Sequence, residues 1–181
     1  MQDNPSASSA KTLKRPTQER LCELFDFDPA VGVFIWRWRT DIRGGWNELC
    51  AGNVAGRLDS YGYCQISVDS QRYERSRLCW LWVTGEWPPE LDHRNTVRDD
   101  DRFDNLRPAD RYQNLSNRGP QRNSRSGMKG VFWLKRNRRW MAQIKARSVV
   151  HYLGLFDSKE EAAAAYAAAA AKHHGEFART A

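Results

Sequence analysis

Residues 91–114 read LDHRNTVRDDDRFDNLRPADRYQN, and they decide both the fold and the chemistry. Leu91-Asp92-His93 is extended in character, Arg94 to Asp101 is a polar turn, and Arg102 to Leu106 is expected to return as a second strand. Asp110 caps a helix, with Gln113 three residues on completing a capping box. Asn114 then falls at the end of the first helical turn, facing back toward the hairpin, so His93, Asn105 and Asn114 converge on one small ββα unit. A hard cation takes oxygen ligands such as the Asp92 carboxylate and an Asn carbonyl, and a neighbouring imidazole accepts a proton from water near neutral pH. That combination suits phosphodiester hydrolysis, and the helix N-terminus adds a weak positive field. The acidic run Asp99-Asp100-Asp101 lacks the Gly that a calcium loop requires and reads as a solvated turn.

Such a site needs a grip on an anionic polymer. The chain of 181 residues carries 29 Lys and Arg against 22 Asp and Glu, a net charge of +7, and an isoelectric point near 9.5. A balance of that sign points to nucleic acid or an acidic membrane surface. The charge is also segregated. Glu86 to Asp110 holds eight acids and four bases, whereas Arg111 to His151 holds eleven Lys or Arg and neither Asp nor Glu. A hydrophobic content of 40% with eight Trp, seven Phe and six Tyr excludes a disordered chain. No apolar run reaches the roughly 20 residues that span a bilayer, and the N-terminus lacks the apolar core of a secretory signal, so a cytoplasmic protein without a membrane partner is expected. Cys22, Cys50, Cys64 and Cys79 are scattered without a C-x-x-C pair, which argues against zinc and disulfides and for free buried thiols.

Upstream of the ββα unit, residues 1–16 are polar and without periodicity and are expected to form a mobile tail, with Lys11, Lys14 and Arg15 near phosphates at most. Thr17 caps a helix whose Leu21, Leu24 and Phe25 continue to the Asp28-Pro29 break. Val33 to Arg39 reads as a strand, and Gly44 to Tyr73 as a β-rich platform whose clearest strand is Tyr63 to Val68. Arg75 to Val83 is a helix stopped by Gly85 and Pro88-Pro89.

Downstream, residues 118–127 read as an extended basic linker able to follow a nucleic-acid backbone. Gly130 to Trp133, Arg139 to Arg147 and Ser148 to Leu153 are three short strands. In the second, Trp140, Ala142 and Ile144 fall on one face and Met141, Gln143, Lys145 and Arg147 on the other. Ser158 and Glu161 form a capping box for an Ala-rich helix ending near Gly175, with Tyr166 filling a gap against the sheet.

The order Asp92-His93, Asn105 twelve residues after the histidine and Asn114 nine residues later resembles the HNH endonucleases of the phage and intron-encoded homing type, which have a ββα-metal (His-Me finger) site. The resemblance implies that His93 is the general base, that Asn105 orients its loop and thereby His93, and that Asp92 and Asn114 bind one Mg²⁺ or Mn²⁺. A single carboxylate and a neutral amide imply weak metal binding until a DNA phosphate joins the shell. Where many members have a His-Arg pair at the start of the preceding helix, this chain has Ser76-Arg77.

Lys129-Gly130-Val131, Trp140 to Ile144, Tyr152-Leu153-Gly154 with Phe156-Asp157, and Glu161-Ala162-Ala163 with Ala165-Tyr166 resemble the plant ethylene-response-factor (APETALA-two type) DNA-binding domain. That family lays its sheet in the major groove, and Lys129, Lys145 and Tyr152 fall where it contacts DNA; Phe132 and Leu134 stand where it uses Arg. The basic character adds Arg118, Arg122, Arg125, Lys135, Arg136, Arg138, Arg139 and Arg147 as candidate DNA contacts. The chain is thus expected to be α+β: a tail (1–16), a nuclease domain (17–117), a basic linker (118–127), and a three-stranded antiparallel sheet packed on one helix (128–181). Its expected function is a metal-dependent, site-directed DNA endonuclease or nickase leaving 5′ phosphate and 3′ hydroxyl ends. It would act on double-stranded DNA as a monomer or weak dimer in the cytoplasm of a bacterial or phage-infected cell. The alternative is a DNA-binding regulator on an inactive nuclease scaffold.

Overall fold

Thr17 begins the first element among the described residues of the protein, whose computed structural model describes residues 15–42, 44–121 and 124–180. Its side chain accepts from the Arg20 N–H and starts α1 (Gln18–Leu24). The helix stops earlier than the spacing predicts. Phe25 lies next to Leu24 on the helical stripe, but Phe25 and Phe27 also alternate with exposed Asp26 and Asp28, and the period of two wins. β1 (Phe25–Asp28) therefore pairs antiparallel with β2 (Val33–Trp36), Phe25 opposite Trp36 and Phe27 opposite Phe34. The strand expected to reach Arg39 ends at Trp36.

The expected platform contains a short helix as well as strands. In α2 (Trp46–Cys50), Trp46 meets Trp36 edge-on and buried Asn47 bonds both the N–H and the C=O of Arg39. β3 (Arg57–Leu58), β4 (Cys64–Val68) and β5 (Gln71–Glu74) form one antiparallel sheet, and β5 runs straight into α3 (Arg75–Thr84), closed by Gly85 in a left-handed conformation. Phe25, Phe34, Ile66, Leu78 and Leu106 lie in the first hydrophobic core. Cys64 and Cys79 are buried, whereas Cys22 is exposed, contrary to the expectation of buried thiols throughout.

β6 (Leu91–His93) pairs antiparallel with β7 (Leu106–Pro108), His93 opposite Leu106. The expected second strand from Arg102 is mostly a 3₁₀ turn, Phe103–Asn105, with the strand itself displaced to Leu106–Pro108. Phe103 is drawn out of a strand by Trp80 of α3, 5.2 Å away ring to ring, and by its N–H bond to the Pro29 carbonyl. α4 (Arg111–Ser116) follows with the Asp110–Gln113 capping box in place.

The C-terminal part has β8 (Val131–Leu134), β9 (Arg139–Ala146) and β10 (Val149–Phe156) in one antiparallel sheet with β9 central, and α5 (Lys159–His174) across one face. Val131, Ala142, Ile144, Ala162, Tyr166 and Ala170 form the second core. The Ala-rich helix approaches the sheet closely because it has little side chain to separate them. Arg147, expected within the second strand, instead turns the chain with Ser148, both at positive φ. The molecule is thus an α+β protein with several small antiparallel sheets and five α-helices among the described residues. None of those helices is long and apolar enough to cross a membrane. The expected tail falls mostly in residues 1–14, with Lys11 and Lys14, outside the described residues; Arg15 stands over the Trp87 ring.

Gly32 ties the first hairpin to the site loop. Its φ is +73°, and a Cβ there would come within 2.4 Å of the Arg102 nitrogen and the Asp101 carbonyl carbon. Gly32→Ala should therefore cost about 2–4 kcal/mol from overpacking and left-handed strain. A denaturant midpoint equal to that of the parent protein would contradict this close approach.

Candidate active site and nucleic-acid interface

His93 ends β6 and is buried. Its Nε2 lies 2.8 Å from Oδ1 of Asp101, and the other oxygen of that carboxylate accepts from Arg75 Nε at 2.7 Å. Arg75 opens α3 and also donates through Nη2 to the Asp99 carbonyl. Asp101 is 2% exposed. A carboxylate only accepts, so Nε2 carries the hydrogen of this bond, and in a neutral ring the lone pair is then on Nδ1. The assignment of the acidic run to solvent therefore fails at its third member: Asp99 is exposed, whereas Asp101 is drawn inside by a guanidinium on one side and an imidazole on the other.

The Asn105 side-chain bonds go to the loop after His93 and not to its ring. This side chain braces the loop that begins after His93, donating to the Asp100 carbonyl and Asn95 Oδ1 and accepting from the Asn95 N–H, while its own carbonyl accepts from the Arg94 N–H. It acts on the histidine through the backbone, and Asp101 acts directly. Arg102 grips Asp100 with two bonds and, with a smaller contribution from Asn95, holds its carboxyl well below the ordinary value of 3.8, at about 2, against the opposing effect of burial.

The Asp92 carboxylate is 11% exposed and pairs with Arg107, which donates to Oδ2 from Nε at 2.9 Å and Nη2 at 2.7 Å. Asn117 Nδ2 also reaches both Asp92 oxygens, at 2.9 and 3.0 Å. The structure thus brings Asn117, just beyond α4, to Asp92, whereas Asn114 one turn earlier donates to Glu90 Oε2 at 2.8 Å. Glu90 and Asp92 are two apart on an extended segment, and Asn114 and Asn117 three apart along the helix, so two carboxylates confront two amides. The spacing of Glu90 and Asn117 was the available signal for both residues. Among the described residues there is no group of three or more His, Cys, Asp or Glu able to hold a metal. Asp92 and Asn117, and beside them Glu90 and Asn114, are nevertheless oxygen-bearing donors of the type a hard cation takes, and an amide turned over puts its oxygen where its NH₂ was. Arg107 cancels one of the two negative charges, and a divalent cation added to the remaining one would give a net positive site able to take a phosphate.

Comparisons of the chain with protein-family models, with curated proteins and with solved structures each find no match. Geometry alone therefore carries the functional argument.

The candidate nucleic-acid contacts divide into groups. Cross-strand pairing puts Phe132 with Met141, Gln143 with Tyr152, and Lys145 with Val150 on the sheet face that α5 leaves uncovered. Leu134 and Arg139 share that face, though Arg139 is engaged by Asp157 through two 2.7 Å bonds. Lys135, Arg136 and Arg138 are exposed at the β8–β9 turn, and Arg147 at the β9–β10 turn. Arg118 and Arg125 are exposed, Ser126 of the expected linker is buried, and Arg122 lies outside the described residues. Lys129 is half-buried, its ammonium donating to the Ser116 carbonyl at the end of α4, and burial pushes its pKa down to about 8.

Four further residue pairs join the two halves. Arg107 donates to the Glu176 carbonyl at 2.9 Å and to its carboxylate at 3.2 Å, and lies 3.6 Å from the centre of the buried Phe177 ring. Tyr112 Oη meets His174 Nδ1 at 2.8 Å. Arg94 also reaches Glu176.

Two outcomes check these contacts. Asp101→Ala should cost about 3–5 kcal/mol in denaturant unfolding, because it leaves the Arg75 guanidinium buried without its carboxylate. The depressed Asp100 carboxyl adds stability that is present above about pH 4 and lost as the pH falls toward 2. Acid titration of the melting temperature should show that loss, and Asp100→Asn should reduce it.

Proposed function

We propose that this protein is a metal-dependent DNA endonuclease with a ββα-metal site, cutting as a site-directed or homing-type enzyme. The observation that carries the reading is the buried Asp101–His93 pair, at the end of a β-hairpin strand and next to a second carboxylate, Asp92. A carboxylate behind Nε2 leaves Nδ1 as the base, so His93 takes the proton of a water molecule. The water oxygen bonds to phosphorus as the bond to the 3′ oxygen breaks, and that oxygen takes a proton from solvent, leaving a 5′ phosphate and a 3′ hydroxyl. One Mg²⁺ or Mn²⁺ would be held by Asp92 with the Asn117 amide opposite it and the Asn114 amide one turn earlier, and would stabilise charge on the phosphate and the departing oxygen.

Double-stranded DNA is the partner supported by the segregated bases, of which Lys135, Arg136, Arg138 and Arg147 lie on the exposed turns of the C-terminal sheet and Lys145 on its open face. One site cuts one strand per engagement, so a monomer nicks, and double-strand cleavage needs a weak dimer or a second visit. The engagement of Asp92 by Arg107 and Asn117 favours a second reading, a DNA-binding regulator on an inactive scaffold.

Supercoiled DNA incubated with the protein and Mg²⁺ should be nicked, and His93→Ala should lower the rate roughly 10²–10⁴-fold while retaining binding. Asp101→Asn should lose a similar factor, because an amide can donate to Nε2 and put the imidazole hydrogen on Nδ1. The parent protein failing to cut with Mg²⁺ or Mn²⁺ would favour the regulator. Affinity for DNA should fall steeply with salt as bound counterions are released, and a flat dependence would remove the electrostatic case for DNA.

A further inference from the structure

Between α4 and the open face of the C-terminal sheet lies a groove of about 600 Å³ that the proposed cleavage does not use. We propose that it receives a single unpaired nucleotide of a DNA strand, its base seated against the apolar walls and its phosphate against the basic rim. The proposal rests on the reading of the C-terminal sheet as a DNA-binding surface, but not on cleavage.

Three observations point to that occupant. The walls are apolar and wet: Leu115 of α4 is 46% exposed, Phe132 of β8 46% and Val150 of β10 55%. An aromatic ring and two branched aliphatics facing a cleft gain little from a phosphate backbone and much from the flat face of a base. The rim has one sign of charge, with Arg111 on the helix side, Lys145 on the sheet side and Lys129 at the floor, and there is no Asp or Glu among the residues that line it. The groove also has a polar reader, the Gln143 amide on the same open face, beside exposed Tyr152 on the neighbouring strand.

Size separates this occupant from an intact duplex. A volume near 600 Å³ is that of a small-molecule site. A double helix keeps its base faces stacked inside and cannot enter, whereas one base with its sugar can. Phe132 agrees with this distinction, since on the open face of β8 it presents apolar surface that a duplex backbone does not reward. The duplex flanking the unpaired nucleotide would lie over the exposed basic turns, where phosphates are the natural contact.

The test is fluorescence anisotropy of the full chain at one fixed salt concentration with three labelled probes: a duplex, the same duplex with one unpaired nucleotide, and a single strand of the same sequence. The bulged duplex and the single strand should bind more tightly than the intact duplex. Phe132→Ala should reduce that preference roughly 5- to 100-fold while leaving duplex affinity unchanged. Val150→Asp, at an exposed position, serves as a second variant and should act in the same direction, and unchanged melting temperatures establish that both fold. Replacing the unpaired base by 2-aminopurine should give a fluorescence change on binding that Phe132→Ala removes. Equal affinity for all three probes, or a preference that survives both substitutions, overturns the proposal while leaving duplex binding intact. Binding to none of the probes overturns it together with the DNA-binding reading on which it rests.

Discussion

A guanidinium, a carboxylate and an imidazole share one buried space where α3, the turn after β6 and β6 itself meet, and the rest of the N-terminal half is arranged around that contact. Arg75 and Asp101 neutralise one another, which is what allows either to be buried. A buried pair of this kind contributes little net stability compared with an apolar replacement, but it is costly to break on one side, so it fixes geometry more than it adds free energy. What it fixes is the ring of His93. The surrounding elements restrict the same loop from other directions: Asn105 from within, Phe103 through its bond to the Pro29 carbonyl, and Gly32 by close approach of the backbone.

A second buried guanidinium links this centre to the C-terminal half. Arg107 contacts the Asp92 carboxylate with one edge and the Glu176 carbonyl and carboxylate with another, while its face stacks on Phe177. Movement of the C-terminal segment would therefore change the electrostatic surroundings of the carboxylate beside His93. The Tyr112–His174 and Lys129–Ser116 bonds fix α4 against the same half. The two hydrophobic cores are joined by this polar seam, and the groove between α4 and the C-terminal sheet opens beside it.

Local signals were the legible ones. Thr17, Asp110 with Gln113 and Ser158 with Glu161 announce helix starts through bonds that span three residues, and all three caps are present. The three C-terminal strands fall within a few residues of their expected limits because alternation and turns are also short-range properties. Failures occurred where two local codes overlapped or where a distant group decided. Phe25 satisfied both a helical and a strand pattern, and pairing with Trp36 chose the strand. Asp101 looked like one of three solvated acids, and its partner Arg75, 26 residues upstream, had no local signature.

By itself, the sequence determined the α+β class, the order of the hairpin and helix around His93, and the concentration of positive charge after Arg111, since each depends on periodicity, capping or composition along the chain. Tertiary structure alone decided which nitrogen of His93 faces a carboxylate, that Asn117 rather than Asn114 meets Asp92, and that Lys129 seals a seam instead of standing free. The reason is physical. Burial and ion pairing are settled by groups brought together from separate segments, and a side chain's charge in the sequence does not state which opposite charge will share its desolvated space.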